Sequence, residues 1–254
     1  MTMKRTHLTA LLFAPLVALH AADVPATKPV TIVAFGDSTT AVRGSAKVYA
    51  SVLQEELRNV RVINAGVSGN TTEMGRKRFE QDVLRHQPHI AIIQFGINDA
   101  AVDVWKTPPA TDPRVSLERY EANLRHFVQT LKSKNTHVVL MTSNPLRWTP
   151  KLRELYGKPP YQPENADGFN GPLVPYCETV RRVAREEGAE LLDMQQAFVE
   201  QVRGSHARER VAVHEVGPHA RQVAFGNVRK ALVEQQRHDT VEHGVTDELQ
   251  PLVV

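Results

Sequence analysis

The chain has 254 residues, 41% hydrophobic and 23% charged, a composition that excludes a disordered or fibrous chain and suits one sizeable globular domain. The formal net charge is +3. Lys4 and Arg5 sit in the first 22 residues, which hold no acid, and without that segment 29 basic residues face 28 acidic ones. This balance, with no basic stripe interleaved by aromatics, gives no footprint for nucleic acid, and none is expected as a partner.

Residues 1–22 read as an export signal. Lys4 and Arg5 form a positive start, and Leu8–Leu19, LTALLFAPLVAL, is an apolar core too short to span a bilayer comfortably. Cleavage is expected near Ala21 or Ala22, although His20 interrupts the small-residue pattern; an uncleaved anchor is the alternative. The expected location is secreted or periplasmic, with no stable membrane span after signal removal. The lone Cys177 has no partner for an internal disulfide, and in the helical pattern VPYCETVRRVA it reads as a small buried apolar residue.

From Thr31 onward, strand and helix patterns alternate. Strands are predicted at Thr31–Phe35, Val60–Asn64, Ile90–Phe95, Val138–Thr142 and Glu190–Met194. Helices are predicted at Lys47–Arg58, Glu73–His86, Ser116–Lys134, Leu173–Glu187 and Arg221–Gln236. Most of the strands are almost continuously apolar, as expected when both faces of a sheet are covered. The alternation implies parallel strands joined by right-handed crossovers. The expected fold is therefore a three-layer α/β/α sandwich on a five-stranded parallel sheet, flavodoxin-like, over residues 23–236, with a tail at 237–254. Two long connections, Asp103–Val115 with Trp105 and Asn144–Gly171 with Trp148, follow strand ends and are expected to form a binding rim.

The stretch VTIVAFGDSTT, Val30–Thr40, carries the most information. Its apolar run delivers Ser38 to the carboxyl end of the first strand, the edge where open α/β sheets bind ligands. A serine there is a candidate nucleophile if a base and an oxyanion hole converge on it. The surroundings do not match the G-x-S-x-G elbow. The second strand ends in NAGVSGN, Asn64–Asn70, and the third in FGIND, Phe95–Asp99; a histidine-rich stretch, VAVHEVGPH, covers Val211–His219. Asp37 reads as a structural hydrogen-bonding residue, and Asp99 as a cap for the segment that follows it.

With these blocks in order, the chain resembles the SGNH/GDSL hydrolase superfamily, a fold of this kind with four separated blocks contributing Ser, Gly, Asn and His. The resemblance spans Thr31 to Leu232. It implies Ser38 as nucleophile, with Thr39 in place of the usual leucine. It implies the backbone N–H of Ser38, the N–H of Gly69 and the side-chain amide of Asn98 as oxyanion donors, and His214 as base. No cofactor and no metal are implied.

The last block departs from the family pattern of Asp-x-x-His. No aspartate occurs between Met194 and His238, and His206, His214 and His219 compete for the role of base. With His214 chosen, Val211 falls at the aspartate position. Three explanations stay open: an acid supplied elsewhere, with Glu209 or Glu215 nearest; a Ser–His dyad; or an impaired copy. A zinc site on the three histidines is a fourth, although their spacings match no standard signature.

The resemblance implies a serine esterase acting on small-molecule or carbohydrate esters, with short acyl groups such as acetyl. The alternatives are a non-catalytic glycan-binding protein on the same fold, which the missing aspartate would suit, and a lysophospholipase or thioesterase acting on long acyl chains.

Overall fold

Strand β1, Val30–Gly36, is buried on both faces, with Ile32, Val33, Ala34 and Phe35 fully buried. The computed structural model describes residues 28–44 and 47–205. In chain order β1 is followed by α1 (Tyr49–Glu56), β2 (Val60–Gly66), α2 (Thr72–Asp82), β3 (Ile90–Gln94), α3 (Leu117–Lys132), β4 (His137–Met141), α4 (Pro150–Tyr156), α5 (Val174–Glu187), β5 (Glu190–Leu192) and α6 (Met194–Ser205). Among the described residues the strands form one five-stranded sheet in the order β2-β1-β3-β4-β5, every pair parallel. That order is the flavodoxin-like one, with its switch point at β1 and β3.

Helices cover both faces. On one, Phe79 of α2, Leu124, Phe127 and Leu131 of α3, and Tyr176, Val180 and Val183 of α5 pack on Val33, Phe35, Ile93 and Leu140 of the sheet. On the other, Leu53 of α1 and Met194, Ala197 and Phe198 of α6 pack on Ile32, Ile90, Ile92 and Val139. Cys177 lies buried in the first layer. Arg125 of α3 ties that layer together by pairing with Glu121 on its own helix and with Glu186 and Glu187 of α5.

The largest departures from the sequence expectation lie in three places. The predicted second helix stops at Asp82, and Leu84–His86 form a separate 3-10 turn. The predicted fifth strand ends at Leu192, because Asp193 turns the chain into α6: its Oδ1 accepts from Gln196 N at 3.1 Å, and its carbonyl accepts from Ala197 N. The connection 144–171 is not wholly irregular. Thr149 caps α4, its Oγ1 accepting from Leu152 N at 3.2 Å, with Pro150 at the first helical position. The predicted helix Arg221–Gln236, the segment 1–22 and the tail 237–254 lie outside the described residues.

Candidate active site

The carboxyl ends of β1, β2 and β3 lie side by side, with Gly36 in register with Gly66 on one side and with Gln94 on the other. Each strand hands over to a tight turn two to four residues before a candidate residue, so Ser38, Gly69 and Asn98 share one sheet edge. Glycines allow the turns to nest. A Cβ on Gly36 would lie 2.2 Å from Thr40 Oγ1 and 2.5 Å from the Gln94 carbonyl, and one on Gly66 would lie 2.3 Å from Ala41 N. Gly69 needs its freedom for another reason, a φ of +78°, and a Cβ there would meet nothing within 4 Å.

The Ser38 turn is closed by its own backbone, with Thr40 N and Ala41 N donating to the Asp37 carbonyl. Asp37 is fully buried, and its Oδ1 accepts from Thr39 N and the Thr39 hydroxyl, both at 2.8 Å. The same hydroxyl lies 2.9 Å from Gln94 Oε1 on β3. Thr39, the residue after Ser38, thus adds a polar tie between the turn and the neighbouring strand. Asn64 adds another, its Nδ2 donating to the Thr40 carbonyl at 2.8 Å and its Oδ1 accepting from Gly66 N.

Asn98 is partly buried, held by a turn in which Ala100 N donates to the Gly96 carbonyl at 2.8 Å. Its Nδ2 donates to the Asn70 carbonyl at 3.1 Å, which joins the Gly69–Asn70 turn directly to the third block. Its Oδ1 lies 3.4 Å from Arg114 Nη1. Arg114 is in turn gripped by Asp103, with Nε 3.1 Å from both carboxylate oxygens and Nη2 2.7 Å from Oδ1. Burial alone would raise the Asp103 carboxyl. Hydrogen bonds and charge from Arg114 and Lys106 outweigh it and hold the group at about 2.

Asp99 corrects one expectation. It caps what precedes it in sequence: its Oδ1 accepts from Thr72 N at 2.8 Å and from the Thr72 hydroxyl, in the first turn of α2. Asp37 and Asp99 are both fully buried, and Oδ2 of each has no partner among the described residues. Burial is the main cause that raises Asp37 to about 6 and Asp99 to about 7, with Thr39 and Thr72 respectively opposing it.

The two long connections do pack together. Val102, Val104, Tyr156, Tyr161 and Phe169 form a small core between them, and Tyr161 Oη accepts from Val102 N at 2.9 Å. The two tryptophans are not equivalent. Trp148 is tied inward, its Nε1 donating to the Asn165 carbonyl at 2.8 Å and its ring edge-on to Phe169. Trp105 remains 46% exposed, its Nε1 3.3 Å from Tyr156 Oη.

The histidines 206, 214 and 219, together with Val211, Glu209 and Glu215, lie outside the described residues. Asp193, the last aspartate before them, is already committed: Arg181 grips both of its oxygens at 2.7 and 2.9 Å, and Thr142 donates to it.

A family model of the GDSL-like lipase/acylhydrolase family matches residues 34–214, most of the chain and all of the three turns just described. The chain belongs to this family. Among its relatives, the uncharacterised lipoprotein YqeF of Bacillus subtilis strain 168 is 38% identical over 125 residues, covering 45% of this chain and 49% of that protein. An acetylxylan esterase of Geobacillus stearothermophilus is 32% identical over 145 residues, covering 56% of this chain and 57% of that protein. The chain thus spans about half the length of the curated relatives it matches. The crystal structure of an acetylxylan esterase from Geobacillus stearothermophilus superposes with a TM-score of 0.54 at 23% identity, covering 82% of this chain and 95% of that one. This likeness shows the shared fold.

Sequence reasoning did not single out Arg78 or the Asp103–Arg114 pair. Little local marks them, because their partners lie 8 to 42 and 11 to 53 residues away in sequence, apart from the short-range pairs Arg78–Asp82 and Asp103–Lys106.

Proposed function

We propose that this GDSL-family chain is a secreted serine esterase for short acyl esters, with acetyl groups on carbohydrate as its substrate class. The observation that carries the reading is the convergence of three turns at the β1/β3 switch point, joined by the bond from Asn98 Nδ2 to the Asn70 carbonyl. In the proposed reaction the Ser38 hydroxyl attacks the acyl carbon while His214 takes its proton. The backbone N–H groups of Ser38 and Gly69 and the amide of Asn98 hold the oxyanion. His214 returns the proton to the leaving alcohol, and water, activated by the same imidazole, releases the acid and frees Ser38.

The substrate class rests on two supports: the acetylxylan esterase among the relatives, and the exposed Trp105, whose ring can stack on a sugar. The positive start and short apolar core of residues 1–22 support export; mature protein from the medium should begin near Ala21–Ala22, and a start at Met1 would refute it. The deciding test is turnover of p-nitrophenyl acetate and of acetylated xylo-oligosaccharide, with p-nitrophenyl esters of increasing chain length. Acetyl should be preferred, and Ser38→Ala should abolish turnover and fluorophosphonate labelling without unfolding the chain. A preference for long chains would favour the lysophospholipase reading. Sugar binding without turnover, unaffected by Ser38→Ala, would favour the glycan-binding reading that the missing aspartate supports.

A further inference from the structure

We infer that Arg78 is the positioning residue that holds the nucleophile turn and the oxyanion turn in a single register. The inference rests on the esterase reading for its catalytic consequence but not for its structural one.

Arg78 sits on α2, one turn from its end, with its side chain 15% exposed. Its guanidinium lies over the Phe35 ring, 4.5 Å from the centroid, and that ring belongs to a packed group with Phe79, Phe95 and Phe127. The head group reaches three points of the site at once. Nη2 donates to the Gly36 carbonyl at 2.8 Å, one peptide before Asp37 and two residues before Ser38. Nη1 donates to the Ala65 carbonyl at 2.7 Å, at the end of β2. Nε donates to Asn70 Oδ1 at 2.8 Å, on the residue after Gly69. Asp82, one helical turn on, accepts from Nη1 at 2.8 Å and steadies the group from outside.

The geometry links all three proposed oxyanion donors. The Gly36 carbonyl accepts from Arg78 and also from Val67 N at 3.0 Å, so β1 and the second turn meet at one atom. Asn70 accepts from Arg78 through its side chain and from Asn98 through its carbonyl. Three rigid N–H directions on one planar group suit this task, and a lysine ammonium could not satisfy three acceptors spread around it in the same way. An ordinary surface ion pair would need only Asp82. Here three of the four hydrogen bonds of the head group go to the nucleophile and oxyanion segments, and only the fourth goes to Asp82.

The test uses the whole chain with Arg78→Lys and, as a matched control, Arg125→Lys, which breaks the multidentate pairing between α3 and α5 far from the site. Hydrogen exchange followed by mass spectrometry reads the clamp itself. Arg78→Lys should speed exchange about 10-fold in peptides covering 36–42 and 66–72, with α3 and β4 unchanged. The control should leave those two peptides as they are. In turnover of p-nitrophenyl acetate, Arg78→Lys should lower kcat about 10- to 100-fold with KM within about threefold, as expected for misplaced donors. Its effect should largely vanish in an Asn98→Ala background. Unchanged exchange in both peptides would overturn the clamp. Changed exchange with unchanged kcat, or full additivity with Asn98→Ala, would overturn its catalytic role. A wild-type chain without turnover but with the exchange difference would overturn the esterase reading and leave the clamp standing.

Discussion

Asp99 gives the most direct physical test of the site. Its carboxyl is fully buried, bonded through one oxygen to Thr72 N and the Thr72 hydroxyl, and its other oxygen has no partner among the described residues. Burial lifts the group from its ordinary 3.8 to about 7; the Thr72 bonds oppose the shift, and the charge of nearby Asp37 adds to it. Below pH 4 the carboxyl is protonated in the folded and the unfolded chain, and it carries no penalty. Between about pH 4 and pH 7 the unfolded chain sheds the proton while the folded chain keeps it, so stability falls as pH rises. With the carboxyl at 3.8 unfolded and about 7 folded, the loss between pH 5 and pH 8 comes to about 2–3 kcal/mol.

Asp99→Asn removes this dependence. Its oxygen still accepts from Thr72, and its nitrogen takes the place of the protonated oxygen, so at pH 5 the variant should match the parent within about 1 kcal/mol. At pH 8 it should be the more stable of the two by about 2–3 kcal/mol. In a domain of this size that is roughly 4–12 °C in Tm. Thermal melts of both proteins across pH 5 to 8 supply the measurement: the curves should cross or diverge toward high pH. Parallel curves would mean that the folded chain ionises Asp99 without penalty, and the reasoning from burial would fail. Asp37, raised to about 6 by burial, acts in the same direction and remains in both proteins.

Asn98→Ala should lower kcat on p-nitrophenyl acetate by about 10²–10³ with a smaller change in KM, since an oxyanion donor acts mainly in the transition state; an unchanged kcat would make Asn98 a structural residue only. Gly36→Ala should destabilise the chain by about 1–3 kcal/mol, because its Cβ would meet Thr40 Oγ1 at 2.2 Å and the Gln94 carbonyl at 2.5 Å; a thermal melt identical to the parent's would refute this close approach. Val211→Asp should raise the esterase rate by about 10-fold or more, and His214→Ala should remove the gain whereas His206→Ala and His219→Ala should not. A flat response to Val211→Asp together with a sharp loss on Glu215→Gln would assign the third member to the glutamate.

The parts of the fold that were legible in the sequence are those set by local pattern. Continuous apolar runs such as Ile90–Ile93 declare buried strands, and the helical spacing of Tyr120, Leu124, Phe127 and Leu131 declares a covered face. The turn strings GDS, NAGVSGN and GIND then fall at strand ends, and parallel topology places those ends on one edge. What escaped was set by distant partners or by short capping signals inside proline-rich sequence. Thr149-Pro150 is a helix start that the surrounding prolines disguised as loop. Asp193 is a cap that read as the end of a strand. The partner of Asp99 lies 27 residues earlier, and no local rule could point back to Thr72.

The bonds that fix the three described turns bear on the proposed reading of Val211 at the acid position. Arg78 to Gly36 and Asn70, Asn98 to Asn70, Thr39 to Asp37 and Gln94, and Asp99 to Thr72 all close within residues 36–99. None of them draws on residues 206–219, where the proposed base His214 lies. On the proposed reading, with Val211 at the acid position, the imidazole of His214 lacks orientation and charge support while the bonds that fix the oxyanion side are as they would be with the acid present. In a Ser-His-Asp enzyme, neutralising the aspartate lowers kcat by about 10⁴, and the oxyanion hole and binding alone still supply about 10³–10⁴ over water. Asp193 cannot step in without first leaving Arg181 and opening the start of α6. On the proposed reading, then, the chain is a slow esterase that still recognises the tetrahedral transition state, and rate rather than recognition is what a restored acid would return.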